Sequence, residues 1–107
     1  MLALDLSNYT GFDRDSGNAL KSQIKHGVSQ AEAEEVFLGS PLLASDPAHS
    51  GVEMRFRALG AASGGRRLSV DFTVRGSQIR VISARDMNRL ERSRYEEGPE
   101  KNPPISQ

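Results

Sequence analysis

The chain is expected to adopt an α+β fold, on three observations. Ser29 and Glu32 form a Ser-x-x-Glu capping box ahead of Val36 and Phe37, which marks a helix start. Past Pro41 the apolar residues change from helical to alternating spacing, the period of half-buried strands. Helical spacing then returns near Asp86. The expected order is α-α-β-β-β-β-α: two N-terminal helices, an antiparallel sheet of three to four strands and a C-terminal helix. A chain of 107 residues makes one domain, expected over residues 1–97. Residues 98–107 are Pro-rich and polar and are expected to form a disordered tail.

The first helix is expected over residues 15–25, with Ala19, Leu20 and Ile24 on one face. Gly27 stands where a helix takes a left-handed residue to finish. The second helix starts at the Ser29 cap, where acids at 32, 34 and 35 suit the positive end of the helix dipole. Val28 can staple onto Ala33, and Val36 and Phe37 give the buried edge. Gly39-Ser40-Pro41 stops this helix, because proline has no N–H to continue it.

Leu42-Leu43-Ala44 is a short strand candidate, and 46–51 read as a loop. Met54, Phe56 and Ala58 alternate with Arg55 and Arg57; Leu68, Val70, Phe72 and Val74 alternate with Ser69, Asp71, Thr73 and Arg75. Gly60 to Gly65 form a flexible interstrand loop, with no following helix to make it a phosphate cradle. Arg75-Gly76-Ser77-Gln78 reads as a hairpin turn into Ile79 and Val81. The result is a meander with one apolar and one arginine-rich face. The last helix is expected to begin near Asp86, with cap chemistry from Ser83 to Asp86 and a stripe of Met87, Leu90 and Arg94.

Charge is the strongest functional signal. Net charge is zero, yet residues 1–54 balance at −5 (three basic, eight acidic) and residues 55–107 at +5 (eleven basic, six acidic). Ten of the eleven arginines fall between Arg55 and Arg94. Arginine's planar fork gives phosphate two parallel hydrogen bonds, so the clustering points to a polyanion. Arg55 and Arg57, Arg75 and Arg80 around the hairpin, and Arg85, Arg89 and Arg92 on the last helix are expected to converge. The competing reading pairs them with Glu91, Glu96 and Glu97 as a solvated surface. Lys25-His26 at a helix end and His49 with Glu53 are the other chemical groups: a cation, an imidazole that titrates near neutrality and a carboxylate.

Several classes are excluded. With no cysteine there are no disulfides or thiolate metal sites, and two histidines make a structural zinc unfavourable. No Gly-rich loop precedes Lys-Ser/Thr, so an NTP site of that kind is not expected. No apolar run reaches membrane-spanning or signal-peptide length, so a soluble cytoplasmic protein needing no cofactor is expected.

The ordered segments resemble one family. Phe12-Asp13, Gly17-Asn18, Lys25-His26-Gly27-Val28-Ser29, Glu34-Glu35-Val36-Phe37, Pro41-Leu42, Asp46-Pro47-x-His49-Ser50, Glu53-x-Arg55-Phe56-x-Ala58-Leu59-Gly60, Phe72-Thr73, Arg75-Gly76, Ile79 to Arg85 and Glu91-Arg92-x-x-Tyr95-Glu96 are similar to the BrnT toxins. The likeness runs from about residue 10 to 97, and Lys-His-Gly-Val-Ser and Ile-Ser-Ala-Arg are its most specific parts. Arg14 stands where the family has tryptophan. The resemblance implies a RelE-like fold and a ribonuclease toxin of a type II toxin–antitoxin pair that arrests translation. It also implies a ribbon-helix-helix antitoxin of the BrnA type, forming a heterotetramer with the toxin, with operator DNA reached only through the antitoxin. Carried over by position, Lys25, His49, Glu53, Arg55, Arg80 and Arg85 are the catalytic candidates.

Metal-independent endoribonuclease activity is therefore the leading expectation. Arg55, Arg80 and Arg85 would hold the phosphate, Glu53 or His49 would act as base, and Lys25 would be an accessory cation. Arg57, Arg75, Arg89 and Arg92 would bind the rest of the RNA. The rivals are a module that binds RNA or DNA without cutting it, and an antitoxin-bound regulatory protein whose activity has decayed.

Overall fold

The computed structural model describes residues 9–13, 26–45 and 54–101, the last four in backbone only. The first expected helix, residues 15–25, lies outside the described residues. Gly27 has a φ of +68°, the left-handed conformation expected of it. Helix α1 (Gln30–Glu35) runs into a 3₁₀ turn, Val36–Leu38. Both arms of the capping box form: the Ser29 hydroxyl accepts from the Glu32 N–H at 3.1 Å, and the Glu32 carboxylate accepts from the Ser29 N–H at 3.1 Å.

The sheet has five strands and is mixed, which corrects the expectation of three to four antiparallel ones. Its strands are β1 (Gly11–Phe12), β2 (Leu42–Ser45), β3 (Phe56–Ala61), β4 (Arg67–Arg75) and β5 (Gln78–Asp86), in the spatial order β1-β5-β4-β3-β2. The meander β2 to β5 is antiparallel as expected, and Gly76 turns the β4–β5 hairpin with a φ of +59°. The unforeseen strand is β1. It pairs parallel to β5 through Gly11 opposite Gln78 and Phe12 opposite Ile79. Two residues show no period, so no alternation betrays such a strand.

The apolar face packs under α1 and the 3₁₀ turn. Phe56, Ala58, Leu68, Val70, Phe72, Val81 and Ala84 are buried there with Val28, Ala33, Val36 and Phe37. Phe37 meets Phe72 edge-on at 4.9 Å between centroids, and Phe72 stacks on Phe56 at 5.5 Å. Such geometry suits the ring quadrupoles.

One irregularity governs the other face. Asp71 pairs with Ser83 but Phe72 with Val81, so Ile82 is an extra residue, a β-bulge. Side chains in a strand alternate between faces. Without the bulge, Arg80 and Arg85 would lie on opposite faces; with it, Ala84 enters the core and Arg85 joins Arg80 on the polar side.

The last helix, α2, spans Arg89–Lys101 rather than starting near Asp86. Strand pairing holds Ser83 to Asp86 in β5, and the cap is Asn88: its side-chain oxygen accepts from the Glu91 N–H, and Glu91 accepts from the Asn88 N–H, both at 2.9 Å. The expected stripe is also corrected. Met87 is buried, but Leu90 is 69% exposed, and among the described side chains of α2 the buried one is Glu91. The backbone stays helical to Lys101, past the expected domain boundary at residue 97. Among the described residues, no helix is long and apolar enough to cross a membrane.

Candidate nucleic-acid interface

The strand register arranges the polar face in rows. Leu59, Ser69 and Arg85 form one row, and Arg57, Asp71 and Ser83 the next. Thr73 and Arg80 form a third, which Arg55 joins one residue before β3 along the same register. Arg75, paired with Gln78, lies beyond them. Arginines from three strands thus share one side of the sheet. Arg55 and Arg80 flank Thr73, about 10 Å apart across β4 at the usual strand spacing. The Thr73 hydroxyl donates to the Met54 carbonyl at 2.7 Å and holds the chain next to Arg55 in place.

The Ser69 end is occupied by α2. Arg85 gives its fork to Glu91, Nη1 to Oε1 at 2.7 Å and Nη2 to Oε2 at 2.9 Å. Arg57 donates to Asp71 at 2.9 Å and lies 3.5 Å from Glu91, while Ser83 donates to the other Asp71 oxygen at 3.3 Å. Burial alone would raise the Glu91 carboxyl. Arg85, the Asn88 N–H and Arg57 outweigh it and hold the group below its usual range, and Arg85 is raised in return by its bond to Glu91.

Arg85 is therefore a strand residue, not part of the last helix. Its partner Glu91 is one of the acids the competing reading named. Arg67 likewise pairs with Glu96. Arg89 and Arg92 are exposed on α2, and Arg92 acts on Asp86 at the sheet's end. Arg75 lies 3.9 Å from Asp13. Lys25, His49 and Glu53 lie outside the described residues, but the connection carrying His49 and Glu53 starts at Ser45 and ends at Met54, at the Arg55 end of the sheet. The His26 carbonyl takes a hydrogen bond from Arg66 at 3.3 Å.

Sequence inspection missed Asp71, Ser69 and Asn88, which organise this face. Two signals were available: Asp71 is a lone carboxylate at an outward strand position, and Asn88-x-x-Glu91 is itself a capping-box pattern. Among the described residues, no group of three or more His, Asp or Glu is placed to hold a metal ion.

The sheet carries α1 on its apolar face and the C-terminal helix α2 over part of its arginine-bearing face. The 1.1 Å crystal structure of the Brucella abortus ribonuclease toxin BrnT superposes with a TM-score of 0.57 and 23% identity, over 74% of this chain and 97% of that one. The family model described as "Ribonuclease toxin, BrnT, of type II toxin-antitoxin system" matches residues 15–91, and the chain belongs to that family. No curated protein matches.

Proposed function

We propose that this chain is a metal-independent endoribonuclease that arrests translation, acting in the cytoplasm and neutralised by a BrnA-like ribbon-helix-helix antitoxin in a heterotetramer that also carries the toxin to operator DNA. The observation that carries the reading is the convergence of Arg55, Arg57, Arg75, Arg80 and Arg85 on one face of the sheet. Arg55 and Arg80 are the chosen phosphate ligands. They lie two rows from the end that α2 covers, about 13 Å along the strands, and Arg55 follows Met54, where the chain returns after His49 and Glu53.

The chemistry needs no metal. His49 or Glu53 takes the proton of the ribose 2′-hydroxyl, and the 2′-oxygen attacks the adjacent phosphorus. The bond from phosphorus to the 5′-oxygen breaks, and the departing oxygen takes a proton from the other member of the pair. The products are a 2′,3′-cyclic phosphate and a 5′-hydroxyl. Arg55 and Arg80 hold the charge that builds on the phosphoryl oxygens, usually the largest single contribution. Lys25 adds a further cation.

The test is cleavage of labelled RNA in EDTA by wild type and by R55A/R80A. The double variant is expected to cut about 10²–10³-fold more slowly and to lose growth arrest, with an unchanged circular dichroism spectrum. A folded double variant cutting within about threefold of wild type would reject the assignment. Wild-type protein that retards RNA but leaves it intact would show a binder instead.

A further inference from the structure

Glu91 is 8% exposed on a helix whose leucine, Leu90, is 69% exposed. A surface helix ordinarily turns its apolar residues inward; α2 holds the sheet with a carboxylate. That carboxylate takes both donors of Arg85, a hydrogen bond from the Asn88 N–H at 2.9 Å, one from the Ser69 hydroxyl at 3.4 Å, and the charge of Arg57 at 3.5 Å. Two guanidiniums, a hydroxyl and a backbone N–H are also the donors that a phosphodiester oxygen pair would use.

We propose that Arg85, Arg57 and Ser69 form a second phosphate subsite for RNA, and that Glu91 keeps it closed until the first turn of α2 lifts away. This rests on the reading of the sheet face as an RNA surface, and it adds a regulated subsite to the Arg55–Arg80 pair. Arg85 then exchanges one anion for another and is never left unpaired.

A groove of about 550 Å³ runs beside α2 against β2 and β3, lined by Leu42, Leu59, Leu90 and Arg94 among others. Among the described residues, the Arg67–Glu96 pair is a further tie, on side chains 41% and 56% exposed, a weak class of contact. Elements with few buried apolar contacts open at low free-energy cost. Met87 is buried just before the helix, and its N–H bonds the Arg67 carbonyl at 3.1 Å, so Met87–Asn88 is the pivot.

The probe is a fluorescent 2′-O-methyl RNA about a dozen nucleotides long, which fills a groove and has no 2′-hydroxyl to react. By anisotropy, Glu91→Gln is expected to bind it about five- to tenfold more tightly than wild type, with a log–log salt slope steeper by about 0.7, one phosphate on a single strand. E91Q/R85A should return to wild-type affinity. Hydrogen exchange gives a second reading on unaltered protein: saturating oligonucleotide should deprotect the α2 amides from Glu91 to Tyr95. Folded E91Q that binds no more tightly, or α2 amides equally protected with oligonucleotide bound, would overturn the proposal. If wild type binds and R55A/R80A weakens it, that failure belongs to the subsite alone. If R55A/R80A changes nothing, the parent reading has failed.

Discussion

Removing the Arg66 side chain should cost this protein a large part of its stability. Arg66 lies between the β3–β4 turn and β4. Its Nε and Nη2 grip both oxygens of Asp86 at 2.7 and 3.0 Å. Its Nη1 donates to the Gly27 carbonyl at 2.8 Å, Nη2 reaches the His26 carbonyl at 3.3 Å, and Glu32 stands 3.5 Å away. One guanidinium thus joins the end of β5, the entry to α1 and the α1 capping box. The side chains of Arg66 and Asp86 are 32% and 55% exposed, so the pair itself is worth about 1 kcal/mol after screening. The charged bond to the Gly27 carbonyl adds about 1 kcal/mol, low in its class because water reaches it. With the weaker contacts, Arg66→Ala should lose about 2.5 kcal/mol, or about 10–20 °C in Tm for a domain this size. Arg66→Lys should recover less than half, because an ammonium cannot give two parallel bonds to Asp86 and still reach the carbonyls. Urea and thermal unfolding followed by circular dichroism measure both. A loss below about 0.5 kcal/mol for Arg66→Ala, or full rescue by lysine, would refute the fork argument.

Two further outcomes are expected. Gly60→Ala would put a methyl group 2.7 Å from Val36 Cγ1 and 3.4 Å from Pro41 Cβ, in a packed core where Val36 is 1% exposed; a loss of about 1–3 kcal/mol in urea unfolding is expected, and unchanged stability would show that the 3₁₀ turn moves aside freely. Acid should also destabilise the fold. The capping bond from Ser29 lowers Glu32, the Arg66 bond lowers Asp86 against burial, and Arg85 with Asn88 and Arg57 lowers Glu91 against a larger burial effect. Folded values below the ordinary 4.5 and 3.8 mean that the stabilisation is complete above those values and is lost as pH falls through the folded ones. The urea midpoint should therefore hold above about pH 5 and drop below about pH 4, with a shallower drop in Glu91→Gln; a midpoint that rises on acidification would contradict the sign.

Much of this was legible in the chain because it depends on neighbours in sequence. The capping box at Ser29 and Glu32, the turn at Gly76 and the alternation from Arg67 to Arg75 are local chemistry. A backbone N–H within three residues, a left-handed φ and a two-residue period decide them. The charge balance of −5 in residues 1–54 and +5 in residues 55–107 is likewise a property of composition, and it pointed to a polyanion before any fold was known. What required the tertiary structure is register. The bulge at Ile82 exists because β5 must pair with β4 on both sides of it, and that extra residue alone puts Arg80 and Arg85 on one face. The two-residue strand β1 forms only because β5 offers it an edge. Glu91 became the buried side of α2, in place of Leu90, because two arginines from different strands wait beneath it. Short-range forces set those local elements; the contacts that gather the arginines span tens of residues, and only the paired sheet could specify them.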